Sequence, residues 1–174
     1  IGDTFDDCQK AAQTYCEEHN MTFIPPFDDL QIIEGQGTVA VEIVEDLPNV
    51  DAVIVPIGGG GLSSGLSYYL SKYAPQAKVY GVEPEGAPSM QAAMENGGPI
   101  ELEKINKFVD GAAVKKIGSL NYEISSQLLT SVKSIPEGKI CTTILELYNK
   151  DAIVVEPAGA LSVAALEFHK EEIK

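Results

Sequence analysis

Apolar residues follow two alternating patterns along the chain. Short runs rich in β-branched residues predict strands at 51–57, 78–82, 132–135 and 152–155. Apolar residues spaced three or four apart predict helices at 4–20, 62–73, 88–96, 121–129, 139–149 and 160–170. Asp3 or Thr4 is the expected cap of the first helix. Because strands and helices alternate, the predicted fold class is α/β, with a mostly parallel sheet and flanking helices.

Two further segments have weaker patterns. Residues 22–24 predict a short strand that is broken by the prolines after it. Residues 31–47 predict one helix, in which Gly35 and Gly37 weaken the first turns by about 1 kcal/mol each. These two glycines indicate either tight packing between helices or a second functional feature.

The most unusual feature is the stretch VIVPIGGGGLSSG, in which Gly58, Gly59, Gly60 and Gly61 separate a predicted strand from a predicted helix. Glycine loses the most conformational entropy on folding and buries no side chain, so the run implies a need for bare backbone. A bound anion is one such need, because the first amides of a helix lack partners within it and carry the positive end of its dipole. The alternative is a tight turn with one or two glycines at positive φ.

The composition of the 174 residues restricts the partners. The formal net charge is −14 and all 12 basic residues are lysines, so nucleic acid is not an expected partner. A phosphate group would be held mainly by backbone. No apolar run approaches the roughly 20 residues of a membrane span, so we expect a soluble protein without a membrane partner. Three cysteines without a CxxC pair favour a cytoplasmic location and argue against structural zinc.

Several kinds of phosphate site have glycines between a strand and a helix. A nucleoside-triphosphate loop is excluded, because it needs a lysine beside its last glycine and the first lysine after this run is Lys72. A dinucleotide site stays open, because Glu83 follows Gly61 by 22 residues (83 − 61), near the spacing of a ribose-binding acid. Against it, the closing glycine of that motif is replaced by Ser63 or Ser64.

Six segments, in order along the chain, resemble the threonine dehydratase and serine racemase group of fold-type II pyridoxal-phosphate enzymes. They are PPFDD (25–29), GQGT (35–38), VPIGGGGLSSG (55–65), VEPEGAPSM (82–90), VDGAAVKKIG (109–118) and VEPAGALSVAA (155–165). The resemblance covers essentially the whole chain, and the glycine run is its most specific part. It implies a tryptophan synthase β-like fold, incomplete in this chain, with pyridoxal 5′-phosphate as cofactor.

The resemblance also implies cofactor-binding residues. The glycine run with the residue that follows it matches the phosphate-binding segment, which comprises Gly58, Gly59, Gly60, Gly61 and Leu62. Gly111 and Glu156 match positions beside the cofactor ring, although Glu156 could instead cap the helix that follows it. Glu83 and the carbonyl of Ala87 match a divalent-cation site of the family, in which Ser89 stands where an acid is expected.

The implied activity is that of a threonine ammonia-lyase, which converts L-threonine to 2-oxobutanoate and ammonia in isoleucine biosynthesis or threonine catabolism. Serine racemisation or serine dehydration is the alternative within the group. A nucleotide-binding module and a scaffold without catalysis are alternatives of other classes. The implied partners are a small amino-acid substrate and further copies of the chain, as a dimer or tetramer.

No catalytic residue is assigned. The family's Schiff-base lysine lies in an amino-terminal Ser-x-Lys-x-Arg segment, which is not found before the glycine run. Lys133 follows Ser131 in a similar way, but it comes after the run and Ile135 replaces the arginine, so we expect a solvated lysine. The isolated chain is therefore expected to be inactive.

The chain begins at Ile1 without a methionine, and we expect it to be an internal fragment of a longer protein. By the resemblance, residues 1–25 would be a remnant of the small domain. Residues 26–174 would form the large, phosphate-binding domain, truncated before its last segment. No linker or internal repeat separates these parts in the sequence.

Overall fold

The structure, a computed structural model, describes residues 2–173, so Ile1 and Lys174 lie outside the described residues. Three strands form its sheet: β1 (Ala52–Pro56), β2 (Lys78–Pro84) and β3 (Ser131–Ile135). The helices are α1 (Phe5–Glu18), α2 (Leu30–Gln36), α3 (Thr38–Asp46), α4 (Gly61–Tyr73), α5 (Ser89–Asn96), α6 (Ser119–Leu128), α7 (Glu137–Asp151) and α8 (Pro157–Ala165). Short 3-10 turns occur at Asp110–Ala112 and Leu166–His169.

The three strands are parallel and lie in the order β1-β2-β3, which confirms the predicted α/β class. The register pairs Ala52 with Lys78 and Tyr80 with Ser131. Side chains an odd number of residues apart on a strand point to opposite faces of the sheet. Accordingly Val79 and Val82 of β2 belong to two different apolar clusters. Parallel sheets are covered on both faces in this way.

The start of α1 agrees with its sequence. Thr4 is the cap: its hydroxyl accepts a hydrogen bond from the Asp7 amide at 3.1 Å, and the Asp7 carboxylate accepts one from the Thr4 amide at 3.0 Å. This reciprocal capping box satisfies two amides that the helix itself leaves without partners. The expected cap is therefore confirmed as Thr4.

Three sequence predictions about secondary structure are wrong. Residues 31–47 form two helices, because the chain turns at Gly37, where a side chain would contact the Gly65 carbonyl at 3.2 Å. Residues 22–24 and 152–155 pair with no strand among residues 2–173. Apolar β-branched runs become strands only beside another strand, and Val154 is instead 83% exposed.

Within residues 2–173, no helix is both long enough and apolar enough to cross a membrane. The cysteines Cys8, Cys16 and Cys141 are all unpaired thiols. In the same residues, His, Cys, Asp and Glu side chains nowhere group in threes as a metal ion would require.

Candidate functional site

The glycine run lies where the carboxyl end of β1 meets the amino end of α4. Ile57 still pairs with the sheet, since its amide donates to the Val82 carbonyl at 2.8 Å. The chain then turns through Gly58 and Gly59, and Gly60 adopts the left-handed conformation with φ +92° before α4 begins at Gly61. Ligands of parallel sheets bind at this edge, and a helix amino terminus adds positive potential there.

The backbone amides of Gly58–Leu62 lack hydrogen-bond partners in the described part of the chain. Among residues 2–173, no backbone carbonyl accepts a hydrogen bond from these five amides, and no side chain caps α4. Two carbonyls of the same loop are engaged: that of Gly60 accepts bonds from the Ser64 amide and the Ser63 hydroxyl, both at 3.0 Å, and that of Gly59 accepts one from the Gly118 amide at 3.1 Å. A loop with occupied acceptors and unoccupied donors is suited to an anion.

Close packing also explains why these positions are glycines. A side chain at Gly58 would contact the Cα of Ala112 at 3.0 Å, and one at Gly59 would overlap the ring of Phe27. At Gly60 it would lie 2.8 Å from the Cβ of Asn121. The alternative of a tight turn is therefore correct for Gly60, which alone in the run has positive φ, but it does not explain the other glycines.

A cleft of about 370 Å³ opens in front of these amides, a volume suited to a small-molecule ligand. It brings together all seven residues expected to bind the cofactor: Gly58, Gly59, Gly60, Gly61, Leu62, Gly111 and Glu156. Pro26, Phe27 and Gln36 also line it. Within the described part of the chain, no lysine lines this cleft, so positive potential comes from backbone amides and from α4.

Gly111 and Glu156 lie next to each other although they are 45 residues apart in sequence (156 − 111). A side chain at Gly111 would lie 3.1 Å from Oε1 of Glu156 and 2.9 Å from the Cβ of Ala158. Glu156 occupies the N-cap position of α8, but its carboxylate makes no capping hydrogen bond and is exposed. The alternative role of Glu156 as a helix-capping side chain is therefore not observed.

Glu83 lies at the end of β2 with no exposed surface. Its carboxylate accepts hydrogen bonds from the amides of Met90 at 2.6 Å and Gln91 at 3.0 Å, and from the Ser89 hydroxyl at 3.4 Å. Burial raises the pKa of Glu83 to about 7, and these hydrogen bonds oppose the increase. Since the carboxylate has no exposed surface, a group as large as a ribose cannot reach it, which argues against the dinucleotide hypothesis.

The predicted cation site has a partly formed set of oxygens. Ala87 is fully buried, and its carbonyl accepts a hydrogen bond from the Ser89 amide at 3.0 Å. Glu83, Ala87 and Ser89 therefore surround the start of α5, and the assignment of Glu83 and Ala87 to a cation stays a prediction.

Lys133 lies away from the cleft. Its ammonium group forms an ion pair with Glu172 and donates to the Phe168 carbonyl at 2.8 Å, so this lysine is paired and not simply solvated as expected. Its side chain is 33% exposed. Ser131 and Lys133 therefore belong to strand β3, and Lys133 binds the carboxyl-terminal segment of the chain.

Sequence reasoning missed Asn121, which is fully buried in α6. Its side-chain amide donates to the Gly59 carbonyl at 2.8 Å and to the Phe27 carbonyl at 3.1 Å. The sequence holds one signal for it: Asn121 and Ser125 are uncharged polar residues four apart, at the spacing of one helix face. Both are buried against α4, where Ser64 donates to the Asn121 carbonyl at 3.1 Å.

The chain matches the family described as pyridoxal-phosphate dependent enzyme over residues 1–174. It is 56% identical over 174 residues to the L-threonine dehydratase biosynthetic IlvA of Halalkalibacterium halodurans, and 51% identical over 174 residues to that of Bacillus subtilis. These alignments cover 99% of the chain but 42% and 41% of the two relatives. The chain thus spans about two fifths of the length of the curated relatives it matches.

Solved structures show the same fold. The processed form of threonine deaminase isoform 2 from Solanum lycopersicum superposes with a TM-score of 0.90 at 34% identity, covering 98% of this chain and 51% of that one. Maize serine racemase superposes with a TM-score of 0.90 at 28% identity, covering 99% of this chain and 55% of that one. The three-stranded parallel sheet with its helices is therefore part of a larger fold in both structures.

Proposed function

This chain belongs to the pyridoxal-phosphate dependent enzymes, and from that premise we propose that the full-length protein containing it is a biosynthetic L-threonine dehydratase. Such an enzyme converts L-threonine to 2-oxobutanoate and ammonia, and we assign it to isoleucine biosynthesis. The names of the two bacterial relatives, at 56% and 51% identity, support this substrate and this role.

One observation carries the proposal: Gly58–Leu62, whose five amides have no carbonyl partner among residues 2–173, line the same cleft as Gly111 and Glu156. The residues present fit the cofactor, because a phosphate dianion needs several converging donors and the cleft supplies them without a basic side chain. Because these positions are glycines, Ala112, Phe27 and Asn121 can pack closely against the loop.

Each part of the cleft has a distinct task in this proposal. When bound, pyridoxal phosphate withdraws electrons from the α-carbon of an amino-acid substrate. Gly58–Leu62 hold the phosphate group through their amides and the positive end of α4. Gly111 provides a surface without a side chain beside the cofactor ring, and Glu156 holds a carboxylate next to it. Pro26 and Phe27 add apolar side chains to the lining of the cleft.

A second candidate is serine racemisation or serine dehydration. The observation that favours it is the TM-score of 0.90 to maize serine racemase, which equals the score to tomato threonine deaminase. The cleft residues described above are assigned to the cofactor, which both reactions use, so they do not favour one reaction over the other. The higher sequence identity to threonine dehydratases supports threonine as the main substrate.

The experiment that tests the proposal compares substrates on the purified full-length protein reconstituted with pyridoxal phosphate. We expect L-threonine to give 2-oxobutanoate and ammonia in equal amounts, and to have a higher kcat/KM than L-serine. Formation of D-serine from L-serine without a matching release of 2-oxo acid from L-threonine would favour the second candidate and contradict the first.

The proposal includes a homo-oligomer, dimer or tetramer, and a cytoplasmic location. Large apolar side chains on the described surface support association, among them Leu30, 65% exposed, and Tyr73, 68% exposed. Unpaired cysteines fit a reducing compartment. Sedimentation of the full-length protein tests the oligomeric state, and a monomer at micromolar concentration would contradict it.

A further inference from the structure

The carbonyl of Gly59 receives two hydrogen bonds from one place in the fold. The Asn121 side-chain amide donates to it at 2.8 Å, and the Gly118 backbone amide donates to it at 3.1 Å. Both donors belong to the beginning of α6, which the carboxylate of Asp28 caps through the Ser119 and Leu120 amides at 2.9 Å. The Gly59 carbonyl is therefore bound to an anchored element.

The direction of this carbonyl determines the direction of the next amide. A peptide unit is planar and trans, so its C=O and N–H groups point to opposite sides. With the Gly59 carbonyl held toward α6, the Gly60 N–H points away from α6, and Gly60 lines the cleft. Because glycines flank this peptide on both sides, rotation about it meets little steric resistance, and the two donors from α6 restrict it.

The orientation of the Asn121 amide follows from its surroundings. Its nitrogen faces the carbonyl oxygens of Gly59 and Phe27, so exchanging its nitrogen and oxygen would place three oxygens together. The side chain is fully buried, and its Oδ1 has no hydrogen-bond partner among residues 2–173. Burial of an unpartnered oxygen is unfavourable, which indicates that this side chain is retained for its donors.

We propose that Asn121 is a positioning residue that makes the glycine run selective for the phosphate group of the cofactor. It does so by fixing the Gly59–Gly60 peptide with its N–H toward the cleft, and it does not touch the cofactor itself. This inference rests on the proposed function, because it requires Gly58–Leu62 to hold that phosphate.

Ser125, one helical turn after Asn121, provides a matched control. Its hydroxyl lies 3.1 Å from the Ser63 hydroxyl and 3.0 Å from that of Ser64, so it joins α6 to α4 without contacting the Gly59 carbonyl. Like Asn121 it is fully buried. Ser125→Ala therefore loosens the same pair of helices while leaving the peptide anchor in place.

The test is a titration of the full-length apoprotein with pyridoxal phosphate and, in parallel, with pyridoxal, which lacks the phosphate. Binding is followed by absorbance, so the readout is independent of turnover. We expect Asn121→Ala and Asn121→Leu to raise the Kd for pyridoxal phosphate about tenfold or more, because the Gly60 N–H is then no longer oriented to make its charge-assisted hydrogen bond to the phosphate. The Kd for pyridoxal should change by less than about twofold, and Ser125→Ala should leave the ratio of the two constants unchanged.

Different outcomes would contradict the role of Asn121 and the role of Gly58–Leu62 in binding phosphate. If the unmodified protein binds pyridoxal and pyridoxal phosphate equally, the assignment of Gly58–Leu62 to the phosphate group is itself wrong. If it prefers pyridoxal phosphate and the Asn121 variants keep that preference, or bind both ligands equally more weakly, the inference is overturned and the assignment of Gly58–Leu62 stands. If neither variant gives the circular dichroism of a folded protein, Asn121→Ser is measured in the same way. Failure of all three to fold also overturns the inference, because Asn121 would then be a residue of the core.

Discussion

A methyl group at Gly65 of α4 would lie 2.6 Å from the backbone nitrogen of Gly37, between α2 and α3. The backbones of these helices therefore pack directly against each other. This contact joins the GQGT segment to the segment that contains the glycine run. Glycine at position 37 is therefore explained by tight packing between helices and not by a second functional feature. Gly35 has no atom within 4 Å of an added methyl group, so packing does not require glycine there.

Gly65→Ala is expected to lower the free energy of unfolding by about 1–3 kcal/mol, because the methyl group overlaps backbone that cannot rotate away. Gly35→Ala is the control, and it should raise the free energy of unfolding by up to about 1 kcal/mol through its higher helix propensity. Urea unfolding of the full-length protein measures both. Equal stability of the two variants would show that the helices separate easily.

Glu156→Ala is expected to reduce kcat by about tenfold or more while leaving the melting temperature nearly unchanged, because its carboxylate lies at the cleft and makes no capping bond. The matched control is Glu137→Ala. The carboxylate of Glu137 accepts a hydrogen bond from the Gly86 amide at 2.8 Å, so its loss should cost about 1 kcal/mol of stability with little effect on kcat. A destabilised, fully active Glu156→Ala variant would contradict the assignment.

Glu83 is expected to make stability depend on pH. Its pKa in the folded protein is about 7, above the ordinary value of 4.5, so the folded state keeps this proton to higher pH than the unfolded state does. Its contribution is complete below pH 4.5, decreases as pH rises through 7, and is constant above that.

Glu83→Gln is the variant that tests this pH dependence. Glutamine does not titrate, so the stability of the unmodified protein relative to this variant should fall by about 3 kcal/mol between pH 4.5 and 7.5. Urea unfolding across that range gives the difference. Parallel stability profiles for the two proteins would show that Glu83 is not the group responsible.

The predicted cation site can be tested at Ser89, whose hydroxyl lies 3.4 Å from Oε1 of Glu83. Ser89→Asp adds a carboxylate to Glu83 and the Ala87 carbonyl, a set of oxygens suited to Mg²⁺ or Ca²⁺. We expect either chloride salt to raise the melting temperature of Ser89→Asp more than that of the unmodified protein, reversibly with EDTA. Absence of a cation effect on both proteins would make the prediction wrong.

Elements that depend on local pattern were predicted accurately. β1, β3 and α5 lie within one residue of their expected bounds, and β2 and α4 within two. The division at Gly37 could not be predicted, since it depends on Gly65, 28 residues away (65 − 37). Residues 152–155 show the opposite case, in which a strand-like pattern forms no strand because its pairing depends on neighbours that the pattern does not describe.

The site was predictable only in part. Glycines between a strand and a helix indicate an anion from physical principles alone, whereas Gly111 and Glu156 came from resemblance to a family. Asn121 was missed because its hydrogen bond to Gly59 spans 62 residues and depends on how α6 packs on the loop. The burial of Glu83 was missed for a similar reason, since the amides of α5 reach back to its carboxylate.

A crystal structure of the full-length protein with bound pyridoxal phosphate tests the central claim most directly. We predict that the phosphate oxygens lie within hydrogen-bonding distance of at least three amides of Gly58–Leu62, with the Gly59 carbonyl still bonded to Asn121. A phosphate group bound by other residues, with these amides facing solvent or protein carbonyls, would contradict the account.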